Sequence, residues 1–205
     1  MKDGVMSKEL TIRQAPLAGP DATPSSAMET GLRSAGVVLA GSALVALCSH
    51  LALPLPFTPV PLTLQPFAVL LLGLLLTPRL AAAALAVYLA EGALGLPVFA
   101  PGLTGLAHLL GPTGGYLLAY PLAAPLISQL WRRTGRGFSA ALVSAAAGNL
   151  LILACGALWL ALLTRAALPI VLTQSVLPFL PGDALKIAAA AGLAAGWVRL
   201  RHRPA

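Results

Sequence analysis

Almost the whole chain beyond its first 33 residues is apolar, and this feature restricts the folds that are open to it. Of the 205 residues, 58% are hydrophobic and 9% are charged, and beyond Glu29 the acidic residues are Glu91 and Asp183. Apolar runs of this length and number are typical of membrane-spanning helices rather than of a soluble domain. The sequence therefore predicts an all-α integral membrane protein.

Prolines, glycines and charges divide this apolar region into six runs. They cover about residues 34–53, 67–77, 79–94, 113–130, 138–163 and 176–200. A straight span needs about 20 residues, so the short second run is expected to borrow from the loop before it or to lie tilted. We predict a bundle of six transmembrane helices over residues 33–200. It lies between a disordered cytoplasmic tail at residues 1–32 and a cytoplasmic tail at residues 201–205.

The basic residues predict an orientation for these six helices. If both termini are cytoplasmic, Arg165 lies outside, Lys186 lies within the membrane, and the remaining eleven of the thirteen lysines and arginines lie inside. The positive-inside rule favours this arrangement. Although the net charge is +7, the basic residues flank the spans and form no patch, so no nucleic-acid partner is expected.

Three ionisable residues fall inside the predicted membrane region. Asp183 and Lys186 open the last run in the sequence LPGDALK (180–186), and Glu91 ends the third. The Pro-Gly pair suits the start of a helix, so Asp183 and Lys186 are expected to share one face of its first turns. Each such charge costs about 2.5–3.5 kcal/mol at the centre of a span, so these residues usually face a cavity and indicate a ligand site.

Two irregular segments accompany these charges. Prolines at 54, 56, 59, 61 and 66 exclude a helix interior there and predict an extended or turn-rich loop, either a stiff connector or a lid over a ligand site. Residues 101–115 are glycine-rich but lack the Gly-Lys-Ser/Thr ending of a phosphate loop, so a tight turn is predicted. In the predicted topology both segments lie outside, next to Glu91 and Asp183. This arrangement suggests a capture site that faces the outside.

Four motifs also occur in a fixed order along the chain. They are PFTPVPLTLQ (56–65), GLPVFAPG (95–102), LLGPTGGYLLAYP (109–121) and FLPGDALK (179–186). Together they resemble the BioY family, the biotin-binding S-components of energy-coupling-factor (ECF) vitamin transporters, and the resemblance covers about residues 33–200. Pro101 and His108 depart from it, because small or apolar residues are expected at these two positions.

The resemblance implies a biotin-binding domain at residues 33–200 in the bacterial cytoplasmic membrane. It implies high-affinity capture of biotin from outside and uptake with a T-component and paired ATPase subunits, although some members are thought to work without a dedicated module. The chain has no Walker motif, so any ATP hydrolysis belongs to another chain. No cofactor is expected.

Biotin carries a ureido ring, an apolar body and a carboxylate, and the candidate site residues can be matched to these groups. Asp183 is suited to accept hydrogen bonds from the ureido N–H groups. Lys186 could balance Asp183, donate to the ureido carbonyl or meet the carboxylate, and the sequence leaves these roles open. Glu91 requires a partner or water. The neutral polar and aromatic candidates, for which structural packing is equally open, are Gln65, Thr63, Asn149, Phe57, Tyr88, Phe99 and Tyr116.

Two other functions remain as alternatives. An S-component for another small vitamin would share the fold and the position of the site. An intramembrane enzyme would need a nucleophile beside a general base, or histidines at metal-ligand spacing. Ser42 and His50 lie eight apart on the first helix without a catalytic motif, and the three histidines fall in separate segments. Transport is therefore favoured over catalysis.

Overall fold

The structure is a computed structural model that describes residues 24–201. Within that range the chain forms eight helices and one small hairpin. In chain order they are α1 (Pro24–His50), β1 (Ala52–Leu53), β2 (Leu62–Thr63), α2 (Gln65–Leu75), α3 (Pro78–Ala93), α4 (Leu106–Leu110), α5 (Gly114–Arg133), α6 (Phe138–Thr164), α7 (Leu168–Ser175) and α8 (Leu180–Arg201). The predicted helical class is confirmed.

The tail boundaries differ from the sequence prediction. Residues 24–32, which were assigned to a disordered tail, form the first turns of α1. At the other end Arg201 still belongs to α8. The remaining parts of both predicted tails, residues 1–23 and 202–205, lie outside the described residues.

Helix length bears on how many helices cross the membrane. Two described helices are long and apolar enough to span by themselves, Met28–His50 within α1 and all of α6. The α7–α8 pair qualifies as a third span if it is taken as one element bent by 48°. With 11 residues, α2 is well short of the roughly 20 residues of a straight span. These helices indicate a membrane protein, and the count of six spans stays a prediction.

The bundle is organised around α5. This helix packs against α2, α3 and α6, while α1 packs on α3 and α8 packs on α2 and α6. Gly148 on α6 allows the close approach of α6 to α5. A Cβ atom at this position would stand 2.3 Å from the buried side chain of Ile127 on α5. No side chain fits at that distance, so glycine is required where these two helices meet.

One end of the bundle is rich in irregular structure. The helices α2, α5 and α8 all begin there, and the proline-rich segment between α1 and α2 forms a hairpin that pairs Ala52 with Thr63 and Leu53 with Leu62. Between these strands the hydroxyl of Thr58 donates a 2.7 Å hydrogen bond to the carbonyl of Gln174 on α7. The predicted extended, turn-rich loop is therefore confirmed. The loop is held at its centre by the Thr58 hydrogen bond and at its base by the hairpin.

Candidate ligand-binding site

A narrow cavity lies at this end of the bundle. The proline loop and the start of α2 contribute Val60, Pro61, Thr63, Gln65 and Pro66. The helices α5, α6 and α8 contribute Thr113, Tyr116, Tyr120, Asn149, Asp183 and Lys186, with apolar side chains between them. The volume open to the centres of water molecules is about 40 Å³, which is room for about three waters at 10–15 Å³ each.

The charged pair predicted from the sequence lies in the wall of this cavity. Asp183 falls in the first turn of α8, and its carboxylate oxygen Oδ1 accepts a 3.0 Å hydrogen bond from Lys186 Nζ. Only 3% of Asp183 and 9% of Lys186 are exposed. The positive end of the α8 dipole further favours a carboxylate in its first turn. The prediction that both residues share one face of a helix is confirmed.

Asn149, at the middle of α6, completes this polar cluster. Its amide nitrogen donates a 3.0 Å hydrogen bond to Asp183 Oδ2. This bond fixes the orientation of the amide, since a carboxylate only accepts. Its oxygen Oδ1 is buried and has no hydrogen-bond partner among the described residues. An unpaired buried acceptor costs about 1–3 kcal/mol, so a ligand that brings an N–H group would relieve this cost.

The neutral residues Thr63, Gln65 and Tyr116 also lie in the cavity wall, as the sequence analysis proposed. Thr63 Oγ1 donates to Gln65 Oε1 at 3.2 Å, and Gln65 Nε2 in turn donates to the hydroxyl of Tyr88. Tyr116 donates to the carbonyl of Ser175 at 2.6 Å, which fixes the position of its ring. The bonds to Tyr88 and to the Ser175 carbonyl thus connect Gln65 and Tyr116 to residues outside the cavity lining.

Tyr88 and Phe99 lie behind the wall rather than in it. Both are buried, and their rings meet edge to face with centroids 5.4 Å apart. Phe99 also stacks on His108, whose ring does line the cavity, at 5.0 Å. The two aromatic candidates therefore support residues of the site, Tyr88 through Gln65 and Phe99 through His108.

Two candidates lie outside the cavity. Phe57 is 57% exposed at the tip of the proline loop. Glu91 accepts a hydrogen bond from Ser42 on α1 and lines a separate groove between α1 and residues 96–98. Because α1 packs against α3, the face of α3 that carries Glu91 is directed at α1. The expected meeting of three ionisable groups is thus observed for Asp183 and Lys186 only.

The structure adds wall residues that the sequence analysis did not single out. Tyr120 lies one helical turn after Tyr116, and this spacing of four residues could have indicated a shared face. His108 was noted only as a departure from the family pattern. The apolar part of the wall carries no signal that separates it from ordinary packing, and it includes Leu117, Ile152, Leu153 and Phe179.

Comparison with known proteins agrees with this architecture. The model of the BioY family matches residues 21–203. The "Biotin transporter BioY2" of Lactococcus lactis is 37% identical over 161 residues, which are 77% of this chain and 85% of the relative. The "Probable biotin transporter BioY" of Pyrococcus horikoshii is 46% identical over 132 residues, 64% of this chain and 76% of the relative.

A solved structure is similar over nearly the whole fold. The crystal structure of the S-component for biotin from an ECF-type ABC transporter superposes with a TM-score of 0.76 at 26% identity. The match covers 86% of this chain and 94% of that one. The overall arrangement of the helices is therefore shared with that protein. With a family model that matches most of its length, the chain belongs to the BioY family.

Proposed function

We propose that this protein captures biotin and takes it up across the cytoplasmic membrane as the substrate-binding S-component of an ECF transporter. The observation that carries the proposal is the buried cluster of Asp183, Asn149 and Lys186 in the cavity wall, in which the amide oxygen of Asn149 has no hydrogen-bond partner among the described residues. A ureido ring, with two N–H donors beside one carbonyl, is complementary to that cluster. The names of the relatives and of the solved S-component support the same ligand.

The hydrogen-bonding capacity of the cluster suggests how the ureido ring binds. Each Asp183 oxygen accepts one bond from the protein, and a carboxylate offers about four acceptor sites, so two remain. At these two sites Asp183 accepts from both ureido N–H groups, and Asn149 Oδ1 accepts from one of them in a shared hydrogen bond. Lys186 uses one of its three donors on Asp183 and has others for the ureido carbonyl. We therefore assign Lys186 to both its partner carboxylate and the ligand.

Apolar side chains suit the body of the same ligand. Ile152 and Leu153 on α6, Leu117 on α5 and Phe179 before α8 lie next to the polar cluster in the cavity wall. Such a wall favours a thiophane ring and an alkyl chain through the burial of apolar surface. Small-molecule sites commonly combine an apolar lining with a few polar groups in this way.

The proline loop is the proposed lid of the site. A cavity of about 40 Å³ is too small for a molecule of vitamin size, so its cover has to move before biotin can enter. Val60, Pro61 and Thr63 form part of that cover, and the hairpin at the base of the loop is two residue pairs long. The bond from Thr58 to the Gln174 carbonyl is the latch that such a movement would break.

The proposed topology has six spanning helices and cytoplasmic termini. The helices α1, α2, α3, α5, α6 and α8 would cross the membrane, with the cavity open toward the outside. The positive-inside rule supports this orientation, since Arg79, Arg132, Arg133 and Arg136 all lie at turns opposite the cavity. With its short length α2 can still belong to the six spans, because α1, α5 and α8 pack around it and cover its ends with protein instead of lipid.

Energy for uptake would come from a T-component and two ATPase subunits. A helix face of small residues on α1 supports a membrane partner, since Gly36 and Ala40 lie exposed four residues apart. A Cβ atom at Gly36 would meet nothing within 4 Å. Close approach of a second helix at such a face stabilises helix pairs in membranes. Gly192 on α8 is equally open and could serve the same purpose.

The proposal is tested by titration of purified protein with biotin. Saturable binding of one biotin per chain is expected, and mass spectrometry should recover the ligand unchanged. If biotin fails to bind while another vitamin does, the chain is an S-component of different specificity. Chemical conversion of the bound ligand would favour the enzyme alternative. The described residues argue against it, since Ser42 donates to Glu91 and His50 bonds instead to the carbonyl of Pro97.

A further inference from the structure

An open groove lies beside the narrow cavity, and we call it the hairpin groove. It is lined by residues 50–53 at the end of α1 and in β1, by residues 62–64 in and after β2, and by Lys186 on α8. The volume open to the centres of water molecules is about 470 Å³, against about 40 Å³ in the narrow cavity. Small-molecule sites usually measure about 300–1,000 Å³. The hairpin groove therefore has room for a molecule of vitamin size, which the narrow cavity lacks.

Two residues separate the hairpin groove from the narrow cavity. Thr63 on β2 and Lys186 on α8 line both spaces. Leu62 and Lys186 approach each other over Gly182, since a Cβ atom at that glycine would stand 3.6 Å from Leu62 and 4.0 Å from Lys186 Nζ. A residue that lines two spaces is the whole thickness of the wall between them. The partition therefore consists of one layer of side chains.

The two sides of this partition differ in charge. Asp183 lines the narrow cavity and is absent from the lining of the groove. Among the described residues that line the groove none is acidic, so a molecule there meets the ammonium of Lys186 before it meets the carboxylate. Lys186 uses one of its three donors on Asp183. A ligand with a carbonyl oxygen can therefore be received by Lys186 from the groove side.

The partition also coincides with the part of the protein that the proposed function requires to move. Thr63 belongs to the hairpin of two residue pairs at the base of the proline loop. On the opposite strand Leu53 is 60% exposed, so little protein covers the hairpin from outside. Lys186, on its flexible stem, can turn its ammonium while its backbone stays in α8. Movement of the hairpin would therefore widen the partition between Thr63 and Lys186.

We propose that the hairpin groove is the entrance through which the ligand reaches the narrow cavity. The inference rests on the proposed function, in which Lys186 binds the ureido carbonyl. The ligand enters with its ureido ring first, and the carbonyl accepts a hydrogen bond from Lys186 on the groove side. When the hairpin moves, the ring passes between Thr63 and Lys186 and reaches Asp183 and Asn149. Because Lys186 lines both spaces, its bond to the carbonyl can persist during this passage.

The test blocks the groove and measures the rates of association and dissociation of radioactive biotin. Leu53 lines the groove, so Leu53→Cys in a chain without Cys48 and Cys155 can be labelled with a bulky aromatic methanethiosulfonate. Labelling should slow both rates by about tenfold or more and leave the equilibrium affinity unchanged, because both directions use the same entrance. A thiol reductant removes the label and should restore both rates.

Two labelled controls separate this entrance from other routes and from effects of the label itself. Leu122→Cys replaces a leucine of similar exposure, 62%, in a groove beside α5 and α6. Its labelling should change neither rate. Phe57→Cys places the label at the exposed tip of the proline loop, outside the hairpin groove. Labelling there should also leave both rates unchanged if the ligand passes under the base of the loop.

Ala52→Trp is a second variant that fills the groove without a label, since Ala52 is part of its lining. It should slow both rates at unchanged affinity, and the unchanged affinity also shows that the site is folded. If neither block slows association, or if association slows without dissociation, the proposal is overturned while biotin binding still stands. Slowing by the label at Phe57 instead of Leu53 would likewise overturn it. If unmodified protein binds no biotin, the proposed function fails instead.

Discussion

Replacing Asp183 with asparagine removes one charge from the buried cluster and almost nothing from its volume. The carboxylate holds Asn149 and Lys186 at 3.0 Å each. The asparagine amide keeps one acceptor oxygen and brings two N–H donors. These donors would face the donor groups of Asn149 and Lys186, with which they cannot form hydrogen bonds. Breaking one partner of a buried ion pair costs about 3–5 kcal/mol. We therefore expect a lower thermal unfolding temperature as well as weaker binding.

The effect on affinity can be separated from the effect on stability. In the proposed pose Asp183 accepts from two ureido N–H groups, and hydrogen bonds to a charged acceptor contribute about 1.5–3 kcal/mol each. Loss of about 3 kcal/mol corresponds to about a hundredfold weaker binding. Calorimetric titration of folded Asp183→Asn with biotin should therefore show at least this change. Lys186→Met, which leaves Asp183 as a buried uncompensated charge, should show a loss of similar size.

The double variant Asp183→Asn with Lys186→Met decides what the pair does. It removes both charges, so much of the lost stability should return. If the two residues only neutralise each other, biotin affinity would return with it, and this result would refute the assignment of Asp183 and Lys186 to the ligand. Glu91→Gln is the matched control, since it makes the same acid-to-amide change outside the cavity, beside Ser42. Its biotin affinity should equal that of the wild type.

Three further predictions concern the surface, the packing and the topology. Ala40→Leu should lower uptake in cells that contain the energising module and leave biotin binding intact. The control Ala146→Leu, at an exposed alanine of α6, should change neither uptake nor binding. A joint loss of binding and uptake in Ala40→Leu would mean that Ala40 packs within the bundle. Gly156→Ala should lower the thermal unfolding temperature, because the new Cβ would stand 2.2 Å from the ring of Tyr116. The free energy of unfolding should fall by about 1–3 kcal/mol. In the control Gly192→Ala the new Cβ meets nothing within 4 Å, so the unfolding temperature should not fall. Single cysteines in a chain without Cys48 and Cys155 should be labelled from outside at one set of positions and from inside at the other, and reversed labelling would contradict both the orientation and the capture site. The outside set is 57, 103 and 169, and the inside set is 78, 135 and 204.

The sequence was most informative where charge and backbone chemistry leave few choices. A Pro-Gly pair before Asp183 and Lys186 predicted a helix start with both charges on one face, and the structure has this arrangement. The prolines at 54 to 66 likewise predicted the irregular loop. In both cases a local rule of backbone geometry was sufficient, and no knowledge of the neighbouring helices was needed.

The sequence was least informative about which way each helix faces. Glu91 and Tyr88 are three residues apart on α3, yet Glu91 contacts α1 and Tyr88 contacts Gln65 on α2. In a uniformly apolar helix little marks the face that meets a given neighbour, so the direction of a polar side chain depends on tertiary packing. The apolar wall residues, such as Ile152, were unpredictable for the same reason.

The shortness of α2 has a consequence for how the chain enters the membrane during its synthesis. With 11 residues, this helix would leave polar backbone at both of its ends in hydrocarbon if it stood alone. The neighbours that cover it include α5 and α8, which follow it in the chain by about 40 and 105 residues at their nearest ends. A ribosome that has just made α2 has made neither of them. Stable insertion of α2 should therefore wait until α8 has left the ribosome. A helix made early in synthesis would thus reach its final place in the membrane only after a helix made late.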